Sequence, residues 1–147
     1  MTTEKEYQAT LDYLYSFVDY SLTHNLNKTS FVDTLDDMLA LDEKAGRPHQ
    51  AYPCVHIAGT KGKGSTGALI AAALQAAGYK VGFYTSPHLA DFCERLQINR
   101  ENVSHSQFVG LIDSLKPAID AVGHVSTFDI DTEAAFLYFA QAKVDVA

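Results

Sequence analysis

Residues Val55-His56-Ile57-Ala58-Gly59-Thr60-Lys61-Gly62-Lys63-Gly64-Ser65-Thr66 join an apolar run to a glycine-rich turn that carries lysines and hydroxyls and opens into a helical pattern. That combination suits a phosphate cradle. Glycines 59, 62 and 64 let the backbone turn tightly and bring its N–H groups against a polyphosphate, while a helix N-terminus adds positive partial charge. Lys63 supplies a mobile cation, and Ser65 or Thr66 offers a hydroxyl to Mg²⁺. The strict spacing G-x-x-x-x-G-K-[ST] is not met, because Ile57 stands where the first glycine belongs and Gly64 follows Lys63.

Positioning such a loop requires a strand before it and a helix after it. Pro53 to Ala58 reads as a buried strand, and His56 within it as a hydrogen-bonded core histidine. Ser65 to Ala77 is rich in alanine and leucine and is stopped by Gly78 at C′. Tyr79 to Thr85 is β-rich, at the right distance to pair parallel with the first strand through a right-handed crossover. Ser86-Pro87-His88-Leu89 then lies just past a strand's carboxyl end, where open α/β sheets place ligands.

Upstream, Tyr7, Leu11, Leu14, Tyr15, Val18 and Leu22 give one amphipathic helix, and Phe31, Leu35, Met38, Leu39 and Leu41 a second that ends near Gly46 and Pro48. The polar stretch from Thr23 to Ser30 separates them. Downstream, Leu96 to Ile98 is a short strand followed by a turn from Asn99 to Val103. Ser104 caps a helix to about Val122, with Gln107 at N3 and Pro117 kinking or ending it. Asp131 or Thr132 caps a further helix through Ala142, and Val144 to Ala147 begins a strand. The fold class expected is α/β, a P-loop-like parallel sheet with flanking helices behind two N-terminal helices. The interrupted last strand reads as the N-terminal portion of a longer polypeptide, marginal in stability and prone to associate.

A net charge of -7 over 147 residues argues against nonspecific attraction to nucleic acid or anionic membrane, so Lys61 and Lys63 mark a local anion site. No apolar run reaches membrane-spanning length, and Met1 to Glu6 lacks the regions of a signal peptide, which points to the cytoplasm. Cys54 and Cys93 suit reduced thiols, and the six histidines show no zinc-ligand spacing.

The loop His56-x-Ala58-Gly59-Thr60-x-Gly62-Lys63-Gly64-Ser65-Thr66 resembles that of the Mur-ligase superfamily, and within it the folylpolyglutamate synthase and dihydrofolate synthase branch. Two further blocks resemble the same family: Tyr84-Thr85-Ser86-Pro87-His88-Leu89 with Glu94-Arg95, and Ser126 to Ala140, where Asp129 stands in place of the family's Mg²⁺-binding glutamate. A basic residue often found in the family's second helix has no clear counterpart among Thr34 to Met38.

The resemblance implies an incomplete Mur-ligase central domain over residues 1–147, with the glutamate-side C-terminal domain absent. It implies ATP and Mg²⁺ as cofactors, and L-glutamate with a folate or dihydropteroate as small-molecule partners, in a protein monomeric at full length. The activity implied is ATP-dependent amide formation through an acyl phosphate, with the fragment inactive alone. Carried over by residue, Gly59, Thr60, Lys61, Gly62, Lys63, Gly64, Ser65 and Thr66 bind nucleotide, with Lys63 catalytic. Ser65 and Asp129 hold the metal, and Ser86, Pro87, His88 and Arg95 face the pterin-bearing substrate. On the residues alone, Ser86-Pro87-His88 also reads as an ordinary turn, Glu94 with Arg95 as a surface ion pair, and Asp129 as a helix cap. Another Mur-type ligase, a P-loop kinase or GTPase, and a noncatalytic nucleotide-binding fragment share the loop.

Overall fold

The computed structural model describes residues 3–17 and 30–147, with the backbone alone at 30–34. Val18 and Leu22, and most of the polar stretch after them, lie outside the described residues. The chain forms two compact units, Met1–Pro48 with His105–Leu137, and His49–Ser104 with Tyr138–Ala147.

In the first unit, α1 (Glu4–Tyr15) starts at a capping box: Glu6 N–H donates to Thr3 Oγ1 at 3.3 Å and Thr3 N–H to Glu6 Oε2 at 2.6 Å. Its buried face is Tyr7, Thr10 and Leu14, whereas Tyr15 is 55% exposed, so the apolar stripe is narrower than its spacing suggests. Tyr7 stacks on His105 at 3.6 Å and meets Phe108 edge-on, which docks α1 on α4 (His105–Val122). Phe108, Leu111, Ile112, Leu115, Ala118 and Ile119 recur every three or four residues and form the centre of this unit.

Pro117 lies inside α4 and does not end it; the helix continues to Val122. A proline forfeits one backbone bond, and the buried residues Leu115, Ala118 and Ile119 on either side keep the helix against its neighbours. Helix α2 (Ser30–Lys44) also packs on α4. Leu41 is fully buried there, but Leu35 and Leu39 are exposed, so its expected apolar face is only partly used.

The second unit holds α3 (Lys63–Ala76), with Gly78 beyond its end at φ 94°, as its sequence implies. Strands β1 (Gly82–Tyr84), β2 (Leu96–Ile98) and β3 (Glu101–Asn102) form a sheet in that order, antiparallel throughout. The β2–β3 connection is Asn99-Arg100, both residues at positive φ, 51° and 68°, as a two-residue hairpin of matching twist requires. Gly82 is obligatory, since a Cβ there would lie 2.7 Å from the Phe139 ring.

The expected parallel pairing of the first two strands is therefore corrected. Residues 53–58 form no strand, and all but Ile57 are exposed, His56 included, so His56 is not a core histidine. Among the described residues, parallel contact is limited to the bridge Val81↔Val146 and bonds of the chain end: Val55 N–H donates to Ala147 O at 2.8 Å, and Ala147 N–H to Pro53 O at 3.0 Å. Residues 145–147 thus take up backbone groups that a direct pair would have exchanged. Cys54 and Cys93 are not joined in a disulfide. Among the described residues no helix is long and apolar enough to cross a membrane.

Helix α5 (Thr127–Ala142) starts well before the expected cap at Asp131 or Thr132. In the first unit it carries Glu133, fully buried with neither carboxylate oxygen hydrogen-bonded. Burial, and then the charge of Asp42, push its carboxyl up to about 8 from an ordinary 4.5. The folded state therefore keeps a proton that the unfolded chain releases, so this contribution to stability is complete below pH 4.5 and is lost as pH rises through about 8. Relative to Glu133→Gln, the wild-type chain is expected to lose up to about 1.4 kcal/mol per pH unit within that window. Urea unfolding at pH 5.5 and 7.5 checks it; parallel pH profiles for the two proteins would refute it.

Candidate anion-binding loop and neighbouring sites

The chain reaches α3 through Gly59-Thr60-Lys61-Gly62, all exposed. Gly62 is the N-cap and lies in the left-handed region, φ 79° and ψ 3°, where any other residue is strained. Its carbonyl accepts the first helical bond, from Thr66 N–H at 2.9 Å, but no side chain caps the helix. The amides of Lys63, Gly64 and Ser65 therefore point out of the helix start with no side-chain acceptor, the arrangement that favours an anion. Lys63 belongs to α3 and folds back over the turn, its Nζ donating to Gly59 O at 2.6 Å. The loop thus binds its own cation through a carbonyl that a phosphate oxygen could displace.

The helix begins two residues before its expected start, which puts Lys63, Gly64, Ser65 and Thr66 in its first turn. The exposed Ser65 hydroxyl in that turn fits the requirement for a Mg²⁺ ligand beside a bound phosphate. Gly67 and Ala71 are the buried residues of α3, which rests on β1.

Past β1, the segment 86–95 folds on itself. The Ser86–Pro87 peptide is cis, both residues are exposed, and Leu89 protrudes. Arg95 Nε donates to His88 Nδ1 at 3.0 Å, and its guanidinium lies 4.4 Å from the centre of the Phe92 ring. An arginine can only donate, so His88 is the neutral tautomer with its proton on Nε2. His88 and Arg95 are thereby brought together, while Ser86 and Pro87 form the turn before them.

Glu94 directs its carboxylate mainly at the backbone. Its carboxylate accepts N–H bonds from Leu89 at 2.7 Å and from Ala90 and Asp91 at 3.0 Å each. Those backbone bonds, Leu89's foremost, hold its carboxyl below the ordinary range. Asp91 in turn caps the short 3-10 turn Phe92–Arg95 through Cys93 N–H. The pattern Asp91-x-x-Glu94 is a capping box legible in the sequence, whereas the place of Phe92 beneath Arg95 has no local signal.

Asp129 lies in the first unit, in the first turn of α5, and is buried. Its Oδ2 accepts from Ser126 N–H at 2.8 Å and Ser126 Oγ at 2.7 Å, and its own N–H donates to Ser126 Oγ at 3.1 Å. Ser126-x-x-Asp129 is thus the N-terminal box of α5, with Oδ1 outside it. As a metal ligand Asp129 would have only that second oxygen uncommitted to the box, a poorer fit than the Ser65 hydroxyl.

Together, the glycine turn, the uncapped helix start and the Lys63 ammonium are groups suited to meeting an anion. No protein-family model matches it. The dihydrofolate synthase/folylpolyglutamate synthase of Bacillus subtilis is 39% identical over 131 residues, 85% of this chain and 30% of that protein. The folylpolyglutamate synthase of Thermotoga maritima has a similar structure, with a TM-score of 0.84 and 34% identity over 97% of this chain and 32% of its own. That of Mycobacterium tuberculosis, complexed with ADP, gives 0.83 and 30% over 97% and 31%. The chain belongs to the folylpolyglutamate synthase and dihydrofolate synthase family and spans about a third of the length of these relatives.

The α5 box generates a direct test. Ser126→Ala removes the hydroxyl that both accepts from and donates to Asp129, and is expected to cost about 0.5–2 kcal/mol. Equilibrium urea unfolding measures it, and an unchanged midpoint would show that the box does not hold the helix start.

Proposed function

We propose that this chain provides the ATP-binding portion of a ligase that adds L-glutamate to a folate or dihydropteroate. The observation that carries the reading is the uncapped start of α3 at left-handed Gly62, with Lys63 folded over Gly59 O. Supporting it are the names of the relatives and the ADP complex of one of them. In the same reading, the bonds of residues 145–147 to 53–55 and the bridge Val81↔Val146 begin a parallel sheet with the chain end in its middle.

The reaction joins a carboxylate to an amine. A substrate carboxylate oxygen attacks the γ-phosphorus of ATP, the bond to the β–γ bridging oxygen breaks, and ADP leaves with that electron pair. The glutamate amine then attacks the acyl phosphate, loses a proton and expels inorganic phosphate. Transfer of this kind depends on alignment and charge neutralisation rather than on a protein nucleophile. The amides of Gly59 to Gly64 hold the β-phosphate, with Thr60, Lys61 and Thr66 lining the same turn. Lys63 exchanges the Gly59 carbonyl for the β- and γ-oxygens, where its charge opposes the growing negative charge. Ser65 would hold Mg²⁺, with Asp129 Oδ1 as the second candidate ligand, and the ion would neutralise phosphate charge. Ser86, Pro87, His88 and Arg95 form the face for the pterin-bearing substrate.

Lys63→Ala is expected to weaken ATP binding by about ten- to a hundredfold, the effect of a lost charge-assisted hydrogen bond. Calorimetric titration of ATP with Mg²⁺ reads it, and unchanged affinity would overturn the loop assignment. A thermal-shift panel of ATP, GTP and pteroate separates this reading from a GTPase or kinase, which has no use for pteroate. Asp129→Asn, assayed for ATP binding across a Mg²⁺ series, should shift the curve to higher Mg²⁺. An unmoved curve would leave Asp129 as a helix cap alone.

A further inference from the structure

The segment 86–95 contains a carboxylate that none of the chemistry above uses. Glu94 sits next to Arg95 in sequence, yet its two oxygens are directed at the backbone: Oε2 accepts Leu89 N–H at 2.7 Å, and Oε1 accepts Ala90 and Asp91 N–H at 3.0 Å each. The same side chain closes the reciprocal box with Asp91, whose carboxylate accepts Cys93 N–H at 2.7 Å. Three consecutive amides immediately after His88 are therefore fixed by one anion. The chain enters this arrangement through His88, and leaves it through Arg95, whose Nε returns to His88 Nδ1 at 3.0 Å. Phe92, inside the box, lies beneath the Arg95 guanidinium and 5.4 Å from the His88 ring.

We infer that Glu94 is the positioning residue of the His88–Arg95 face, its carboxylate fixing the turn at Leu89 to Asp91 so that the imidazole and the guanidinium are presented together. Its part in substrate capture rests on the reading that this face receives the pterin-bearing substrate. The geometric part stands without it. A carboxylate accepting several amide bonds is favoured as the anion, and the lowered carboxyl of Glu94 agrees with that role. The Glu94 charge thus acts through backbone and ring placement, holding the His88 imidazole and the Arg95 guanidinium side by side.

The test compares the 147-residue wild-type chain with Glu94→Ala and Glu94→Gln. Long-range ¹⁵N correlation spectra report the His88 tautomer. The wild type should show Nδ1 unprotonated and Nε2 protonated, and Glu94→Ala should lose that fixed signature and average the tautomers. Glu94→Gln can keep its carbonyl on Ala90 and Asp91 and forfeit only the Leu89 bond, so it should fall between the two. Calorimetry with pteroate should show affinity about tenfold weaker in Glu94→Ala, with ATP affinity unchanged in the same sample. A wild-type His88 signature in Glu94→Ala would overturn the positioning role. Equal losses of pteroate and ATP affinity would also overturn it, since they would indicate general unfolding. If the wild type fails to bind pteroate, the substrate reading of this face falls, while the His88 spectra still decide the role of Glu94.

Discussion

The N-terminus of α3 is left without a side-chain acceptor, and the loop, the helix and the chain end of the second unit hold it in place. With glycine at the N-cap, the uncapped start forgoes only about a few tenths of a kcal/mol relative to a serine or aspartate cap. Gly62 at φ 79° turns the chain into the helix, and Lys63 returns to Gly59 O, so one positive group is partnered while the amides stay open. Helix α3 does not offset this by burial, since only Gly67 and Ala71 are buried and Leu69 is 73% exposed. Its alanines and leucines supply intrinsic helix preference instead. Its C-terminal end is fastened by Gln75 Nε2 donating to Asn99 O at 3.3 Å and by Tyr79 N–H donating to Leu74 O.

The chain end supplies the second fastening. Asp145 N–H donates to Lys80 O at 2.8 Å, while Asp145 Oδ2 accepts Lys80 N–H at 2.7 Å, so one residue holds both backbone groups of Lys80. The Lys80 ammonium donates to Ala142 O at the end of α5. Gly82 N–H and Val55 N–H then meet Val146 O and Ala147 O. Segments on either side of the glycine loop and its helix are thus tied to one short stretch, which connects the position of the loop to residues far along the sequence.

What could be read in advance follows from the range of the forces involved. Gly78 after α3, the 3.6-residue spacing in α4 and the glycine loop are local signals, and local geometry honours them. The helix start at Ser126 is equally local, a Ser-x-x-Asp box; the pull of the next pair, Asp131 and Thr132, misplaced it. Asn99-Arg100 lacks the glycine that usually announces a tight hairpin, so β3 went unseen. Burial is another matter. His56, Leu35 and Leu39 have the residue types of a core, yet exposure depends on which distant segment arrives to cover them. Direct parallel pairing of 53–58 with 79–85 failed for the same reason, since residues 145–147 meet both.

Charge sets the manner in which such a loop can act. The chain carries a net charge of -7, so its long-range field repels a polyphosphate instead of steering it in, and beyond a Debye length of about 8 Å at physiological salt little of any field remains. Attraction must then arise at contact, from amides, one ammonium and whatever cation accompanies the ligand. Fixed dipoles are suited to this, because a backbone amide keeps its partial charge whatever the protein's net charge or the pH. The carboxylates obey the same rule from the other side. The Glu94 carboxylate, accepting three backbone N–H groups, is favoured as the anion, while Glu133, buried without such donors, holds its proton. Where the backbone directs its donors thus separates these two carboxylates, and at the start of α3 the same kind of donor points outward with no side-chain acceptor.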